Sequence, residues 1–161
     1  MLLWLSTTPF SVFMQSDPWA FPVAESVHVA ALALTVGTVA IVDLRLLGWA
    51  ALDRPVDELC AEVLPWTWGA FAVALLSGAA LFSAQPVEYA ANGAFRAKLL
   101  FIAAAGLNMA LFHLLAARDL PRWRGRARPP KAAKLAGALS LLCWTAAVVC
   151  GRLIGYLMEP R

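Results

Sequence analysis

An all-α, four-transmembrane-helix bundle is the fold class that this 161-residue chain predicts, and two observations predict it. The first is a set of four apolar stretches, at about 21–47, 66–84, 95–117 and 132–157. A hydrocarbon core of about 30 Å takes about 20 helical residues to cross. In lipid the backbone must satisfy its own hydrogen bonds, so each stretch reads as a helix. The second is composition: 61% hydrophobic and 14% charged residues, with mean hydropathy +0.71, where a soluble domain carries about 25% charge. So little chain lies outside the spans that residues 1–161 make one integral membrane domain, with no room for a soluble catalytic module.

The elements follow in order. Met1-Leu2-Leu3-Trp4-Leu5 has neither a basic n-region nor a small-residue cleavage site, and does not read as a signal peptide. Residues 8–14 and 19–22 mix aromatics with polar groups and predict a short interfacial segment before the first span, with Trp19 and Phe21 at headgroup depth. Between the first two spans, Asp53 stands two residues before Pro55 and predicts a brief surface helix. Asn92-Gly93 marks a turn just before the third span. Gly151-x-x-x-Gly155 permits a close helix contact on the fourth, within the bundle or between copies in a homo-oligomer. Trp66, Trp68 and Trp123 suit interface anchors. Cys60, Cys143 and Cys150 form no metal-type cluster and suit small packing residues.

Charge sets the orientation. Arg118, Arg122, Arg124, Arg126, Arg128, Lys131 and Lys134 form a basic block that stays cytoplasmic, which puts Arg45 and Arg54 inside as well. Arg96, Lys98, Arg152 and Arg161 remain outside, so the chain is N-out and C-out in a bacterial cytoplasmic membrane. The net charge of +3 is concentrated beside one span and does not point to nucleic acid; the surrounding partner is lipid.

Ionisable groups inside a membrane helix are costly and need a partner or a purpose. At about 100° per residue, Glu25, His28, Thr35 and Asp43 fall on one stripe of the first span, which must face the bundle. At 1.5 Å per residue, His28 lies roughly 10 Å below the outer end of span one and Lys98 within about 6 Å of the outer end of span three. His113 lies roughly 27 Å along that same span. Nitrogens on opposite faces of one metal ion stand about 4 Å apart, so His28 and His113 cannot share one iron.

Two polar layers result. The outer one holds Glu25, His28, Arg96, Lys98 and Arg152. There His28 is the natural soft ligand for a haem iron, Lys98 a second ligand once deprotonated, and Arg96 and Arg152 partners for propionates. The competing reading is a set of buried ion pairs, chiefly Glu25 with Lys98 or Arg96. The inner layer holds Asp43, Arg45 and His113, with Lys131 and Lys134 nearby. Asp43 and His113 match in depth and suit a hydrogen bond between helices, or His113 ligates a second haem, while Arg45 snorkels to the headgroups. Asn108 and Ser140 suit interhelical hydrogen bonds.

The runs Glu25-Ser26-Val27-His28-Val29 and Val42-Asp43-Leu44-Arg45-Leu46-Leu47-Gly48 resemble the first helix of an uncharacterised family of small four-helix bacterial membrane proteins. Phe95-Arg96-Ala97-Lys98-Leu99-Leu100, with His113 beyond, resembles that family's third helix. The likeness covers nearly the whole chain and implies no established activity. More loosely, an early His in one helix and a Lys near the start of a later one are similar to the copper-resistance protein CopD and the protoporphyrinogen oxidase HemJ. The HemJ likeness implies haem b and oxidation of a porphyrinogen, and carries over to His28 and Lys98 only. Glu25, Asp43 and His113 depart from that pattern.

The functional expectation is a b-type haem membrane protein that transfers electrons at the outer leaflet, between a quinone or other donor and a redox partner. The alternatives are a HemJ-like porphyrinogen oxidase and a non-catalytic subunit or anchor of a larger membrane complex. Copper handling finds little support, because Met14, Met109 and Met158 are scattered.

Overall fold

A computed structural model describes residues 2–112, 114 and 129–158. His113, Trp123 and the basic block from Arg118 to Arg128 lie outside the described residues, and so do the expectations placed on them.

Seven helices make up the described residues: α1 (Leu2–Leu5), α2 (Pro9–Ser16), α3 (Ala20–Leu47), α4 (Val56–Ala84), α5 (Pro86–Ala91), α6 (Gly93–Leu111) and α7 (Lys131–Leu157). Four of them, α3, α4, α6 and α7, are long and apolar enough to cross a membrane. Their lipid-facing surface is rich in Leu, Val and Trp, and only a minority of each span is buried within the bundle. This is the all-helical, multi-pass membrane bundle that the apolar stretches predict.

Local chemistry fixes the ends. Thr8 caps α2, its hydroxyl accepting from the Ser11 amide, with Pro9 in the first turn. Asp17 accepts from the Trp19 and Ala20 amides and starts α3. Gly48 ends α3 at φ +79°, a left-handed conformation that glycine adopts without a Cβ penalty. Asn92 caps α6 by accepting from the Ala94 and Phe95 amides, so the turn at Asn92-Gly93 is a helix start. The helix that begins at Val56 runs on through Pro65 into the apolar part of α4. Its first turns carry Asp57, Glu58 and Glu62, and the segment beyond Pro65 is the lipid-facing part.

Packing is uneven around the bundle. The α3–α4 and α6–α7 pairs are extensive, and α3–α7 joins them, whereas α4 and α6 barely meet. At the end where α3 begins, outer in the orientation the charges predict, α4 and α6 touch through stacked Phe82 and Phe95, 5.5 Å apart. Short α2 docks on that same end, where the fully buried Ser11 hydroxyl donates to the Ser83 carbonyl. The tightest seam is elsewhere. A Cβ on Gly137 of α7 would stand 2.9 Å from the Asp43 carbonyl oxygen and 3.1 Å from Leu46 Cβ. Gly137 therefore lets α7 lie against the backbone of α3, as small residues do between membrane helices.

Candidate functional site

Polar groups gather in two places, both on the inward faces of the spans. The outer place centres on His28, half-buried on α3. Its Nδ1–H donates to the Ala74 carbonyl at 2.8 Å, with the Ser77 hydroxyl at 3.1 Å. The Ala74 carbonyl is an acceptor, so it fixes the tautomer and leaves Nε2 with a lone pair. Lys98 Nζ on α6 stands 3.3 Å from that nitrogen and donates to it. Gly78 makes the space on the α4 side, and Gly151 lies at ordinary contact distance. A Cβ on Gly78 would be 3.0 Å from His28 Cε1, and one on Gly151 would be 3.7 Å from Lys98 Nζ. All four spans thus contribute: α3 and α6 the two bases, α4 the carbonyl and a flat seat, α7 the seat of the lysine.

The other outer-layer residues do not join this pair. Glu25 is exposed, one turn above His28, and forms no ion pair with Lys98 or Arg96. Its position near the outer end, beyond the close packing of the spans, takes it out of the interior although its azimuth is inward. Arg96 is exposed and donates to the Ala90 and Ala91 carbonyls, covering the C-terminus of α5. Arg152 is exposed and lies over the Tyr156 ring, 5.3 Å from its centre. The expected ring of propionate partners around His28 is therefore absent among the described residues. Arg54 and Glu62, both exposed, form the ion pair seen among the described residues, and Glu62 holds the Arg54 guanidinium above its usual range.

Haem can be tested against this geometry. Ligands on opposite faces of an iron stand about 4 Å apart at roughly 2 Å per bond, with the macrocycle in the plane between them. His28 Nε2 and Lys98 Nζ are 3.3 Å apart and directly hydrogen-bonded, and Gly78 closes on the ring. The residues as arranged do not fit a haem held between His28 and Lys98. Nor does any group of three or more His, Cys, Asp or Glu side chains converge on a metal position among the described residues.

The inner place centres on Asp43, 4% exposed on α3. Ser140 of α7 lines the same part of the bundle, and Asp43 Oδ2 is buried without a hydrogen-bond partner among the described residues. Nearby, Asn108 Nδ2 donates to the Ala136 carbonyl at 2.9 Å and ties α6 to α7. Thr67 donates to the Thr38 hydroxyl at 2.9 Å and ties α4 to α3. The interhelical role expected for Asn108 is the one observed. Arg45 differs from expectation. It is 5% exposed and turned back so that Nε donates to the Arg54 carbonyl at 2.8 Å. The loop after Gly48 folds over it and supplies a nearer acceptor than the headgroups.

Sequence reasoning missed the Ala74 carbonyl, Gly78 and Gly137. A backbone carbonyl leaves no trace in side-chain chemistry. The glycines left a faint one: Ala74, Gly78, Ala133, Gly137 and Ser140 are small residues at helical spacing.

A four-span membrane bundle with a histidine–lysine pair in one half and a buried carboxylate in the other defines the class. Residues 19–157 match the model of DUF6644, a family of unknown function, and the chain belongs to that family. No curated protein matches the chain, and no solved structure does. The likeness to CopD and HemJ rests on the quoted residues alone.

Proposed function

We propose that the protein is a component of proton-coupled electron transfer in the bacterial cytoplasmic membrane, and that His28 and Lys98 exchange the proton with its redox partner. The hydrogen bond from Lys98 Nζ to His28 Nε2 at 3.3 Å carries this reading. Moving the proton from Nζ to Nε2 turns an ammonium and a neutral imidazole into an amine and an imidazolium. One positive charge is inside the bundle before and after, so the transfer shifts charge a few ångströms and adds none to a low-dielectric interior. Ionisable residues within spans serve as such relays. The Ala74 carbonyl steadies the imidazole in both states, since Nδ1 keeps its hydrogen throughout.

The test is proton release by cells given a pulse of oxygen. The strain carrying the wild-type chain should exceed the deletion strain, and His28→Ala and Lys98→Met should match the deletion. Equal release with and without the wild-type protein removes the proposal.

A second reading is favoured by one observation. A histidine that donates Nδ1–H to a backbone carbonyl has the arrangement usual in metal-ligating histidines. Haem b with His28 as its sole protein ligand would supply one-electron chemistry, and a HemJ-like oxidation of a porphyrinogen falls under the same reading. It requires Lys98 to leave Nε2 and the helices to part at this level. Protein purified from haem-replete cells should then show a Soret band that His28→Ala loses; a colourless preparation removes this reading.

A further inference from the structure

A histidine and a lysine set among membrane helices exchange protons with water only through a polar group that reaches them. At the end of the bundle where α3 begins, helical spacing defines the layer of side chains one turn outward of the pair. There α4 presents Leu81 and Phe82, α6 presents Ala94 and Phe95, and α7 presents Ile154. Leu81, Ala94 and Ile154 are buried. Phe82 and Phe95 stack with ring centres 5.5 Å apart, and Tyr89 of α5 packs on both, at 6.2 and 5.5 Å. On three spans this layer is apolar. On α3 it is Glu25, exposed and without an ion pair among the described residues. Glu25 and His28 are three residues apart on one helix, so their Cβ atoms stand about 5–6 Å apart. One water, with hydrogen bonds of about 2.8 Å on either side, bridges such a gap. Arg96 is a poor alternative, since it donates to the Ala90 and Ala91 carbonyls and keeps its charge. So is Tyr89: burial, and next the charge of Glu25, hold its phenol above the usual range.

We infer that Glu25 carries protons between the outer aqueous phase and the His28–Lys98 pair. Once the pair has given up its proton, the Glu25 carboxylate takes one from water and becomes neutral. It then passes that proton inward, through one bridging water, to Lys98 Nζ or His28 Nε2, and regains its charge. This role rests on the proposed function for its use in the membrane, because it supplies the proton that the pair hands on. The steps also run backward, from the Lys98 ammonium to the carboxylate and out to water, so the route is measurable without electron transfer.

Exchange of the Lys98 Nζ protons with water, read by NMR on the full chain with isotope-labelled lysine in lipid nanodiscs, tests it. The Lys98 signal is identified by its loss in Lys98→Met. Glu25→Gln keeps the shape of an exposed side chain, so the fold should stand. It should slow exchange about a hundredfold, the lower end of what a positioned acid–base group adds to proton transfer. Glu25→Asp keeps the carboxylate and should restore most of the rate. Tyr89→Phe keeps the ring and should exchange as the wild type does. The inference is overturned by no exchange at Lys98 in the wild type or by an unchanged rate in Glu25→Gln. It is overturned equally by a Glu25→Asp as slow as Glu25→Gln, which marks a structural role, or by a slow Tyr89→Phe, which moves the route to the phenol. Exchange that needs Glu25, alongside oxygen-pulse release indifferent to the protein, removes the proposed function and leaves this route standing. Release that needs His28 and Lys98, with exchange indifferent to Glu25, does the reverse.

Discussion

Replacing Gly137 by alanine should loosen the seam on which both halves of the bundle depend. The new methyl would stand 2.9 Å from the Asp43 carbonyl oxygen and 3.1 Å from Leu46 Cβ. Ordinary contact begins near 3.4 Å, so α7 must retreat from α3 by roughly half an ångström. The neighbour is backbone and cannot swing aside as a long side chain can. Overpacking of this kind costs about 1–3 kcal/mol, and the better helix propensity of alanine returns up to about 1 kcal/mol. The net expectation is a loss of about 1–2 kcal/mol. Gly37→Ala is the matched control, because a Cβ there meets nothing within 4 Å. It keeps the propensity gain alone and should stabilise by up to about 1 kcal/mol. Reversible unfolding of the purified protein in mixed micelles reads both. Changes of the same sign in the two variants would refute the claim that α3 and α7 touch through Gly137.

Three further outcomes follow from the hydrogen bonds and one raised pKa. Ser11→Ala removes a fully buried donor to the Ser83 carbonyl. It should cost about 1–3 kcal/mol, the cost of stranding a buried carbonyl, and should make α2 the first site cut by protease in nanodiscs. Asn108→Ala, which deletes the bond to the Ala136 carbonyl, should cost about 0.6 kcal/mol by the same unfolding assay, in line with typical interhelical bonds in membranes. Tyr89, on α5 outside the spans, is raised above its usual value by burial, with Glu25 and Glu88 adding to the effect. A raised folded value means that the unfolded chain loses the phenol proton first. Stability is then full below about pH 10 and falls as the pH rises through the folded value. A thermal melt series from pH 8 to 12 should show this alkaline loss in the wild type and less of it in Tyr89→Phe.

The spans were readable because length and apolarity are properties of single segments. The inward stripe of α3 was readable for the same reason. Thr35 and Asp43 are buried, at 1% and 4% exposure, as the 100° rule requires. The rule failed at Glu25, which shares the azimuth of Asp43 but sits where the spans no longer pack closely. Periodicity reports direction around a helix and says nothing about where the neighbouring helix ends. Depth did better: it matched His28 with Lys98 from counting residues alone, and those two nitrogens are in contact. What counting could not supply was the separation between them. Whether two bases at one level meet directly or flank a cofactor depends on how closely the helices approach, and on the His28 side Gly78 permits that approach.

The distribution of satisfied and unsatisfied groups then follows from the uneven packing. The α3–α4 and α6–α7 seams each carry a polar tie, Thr38–Thr67 and Asn108–Ala136, and the α3–α7 seam closes tightly at Gly137. A polar tie in lipid is useful only where helices are close enough to exclude competing partners. Between α4 and α6 the described contact at the outer end is aromatic, Phe82 on Phe95, and the space further in is a cavity. Aromatic stacking tolerates small sliding that a hydrogen bond of fixed length does not. The bundle is thus held by directional bonds in two seams and by close packing in the third, and left adjustable in the fourth. Asp43 stands where the two regimes meet: its backbone carbonyl lies against Gly137 in the α3–α7 seam, and the residue is among those that line the cavity.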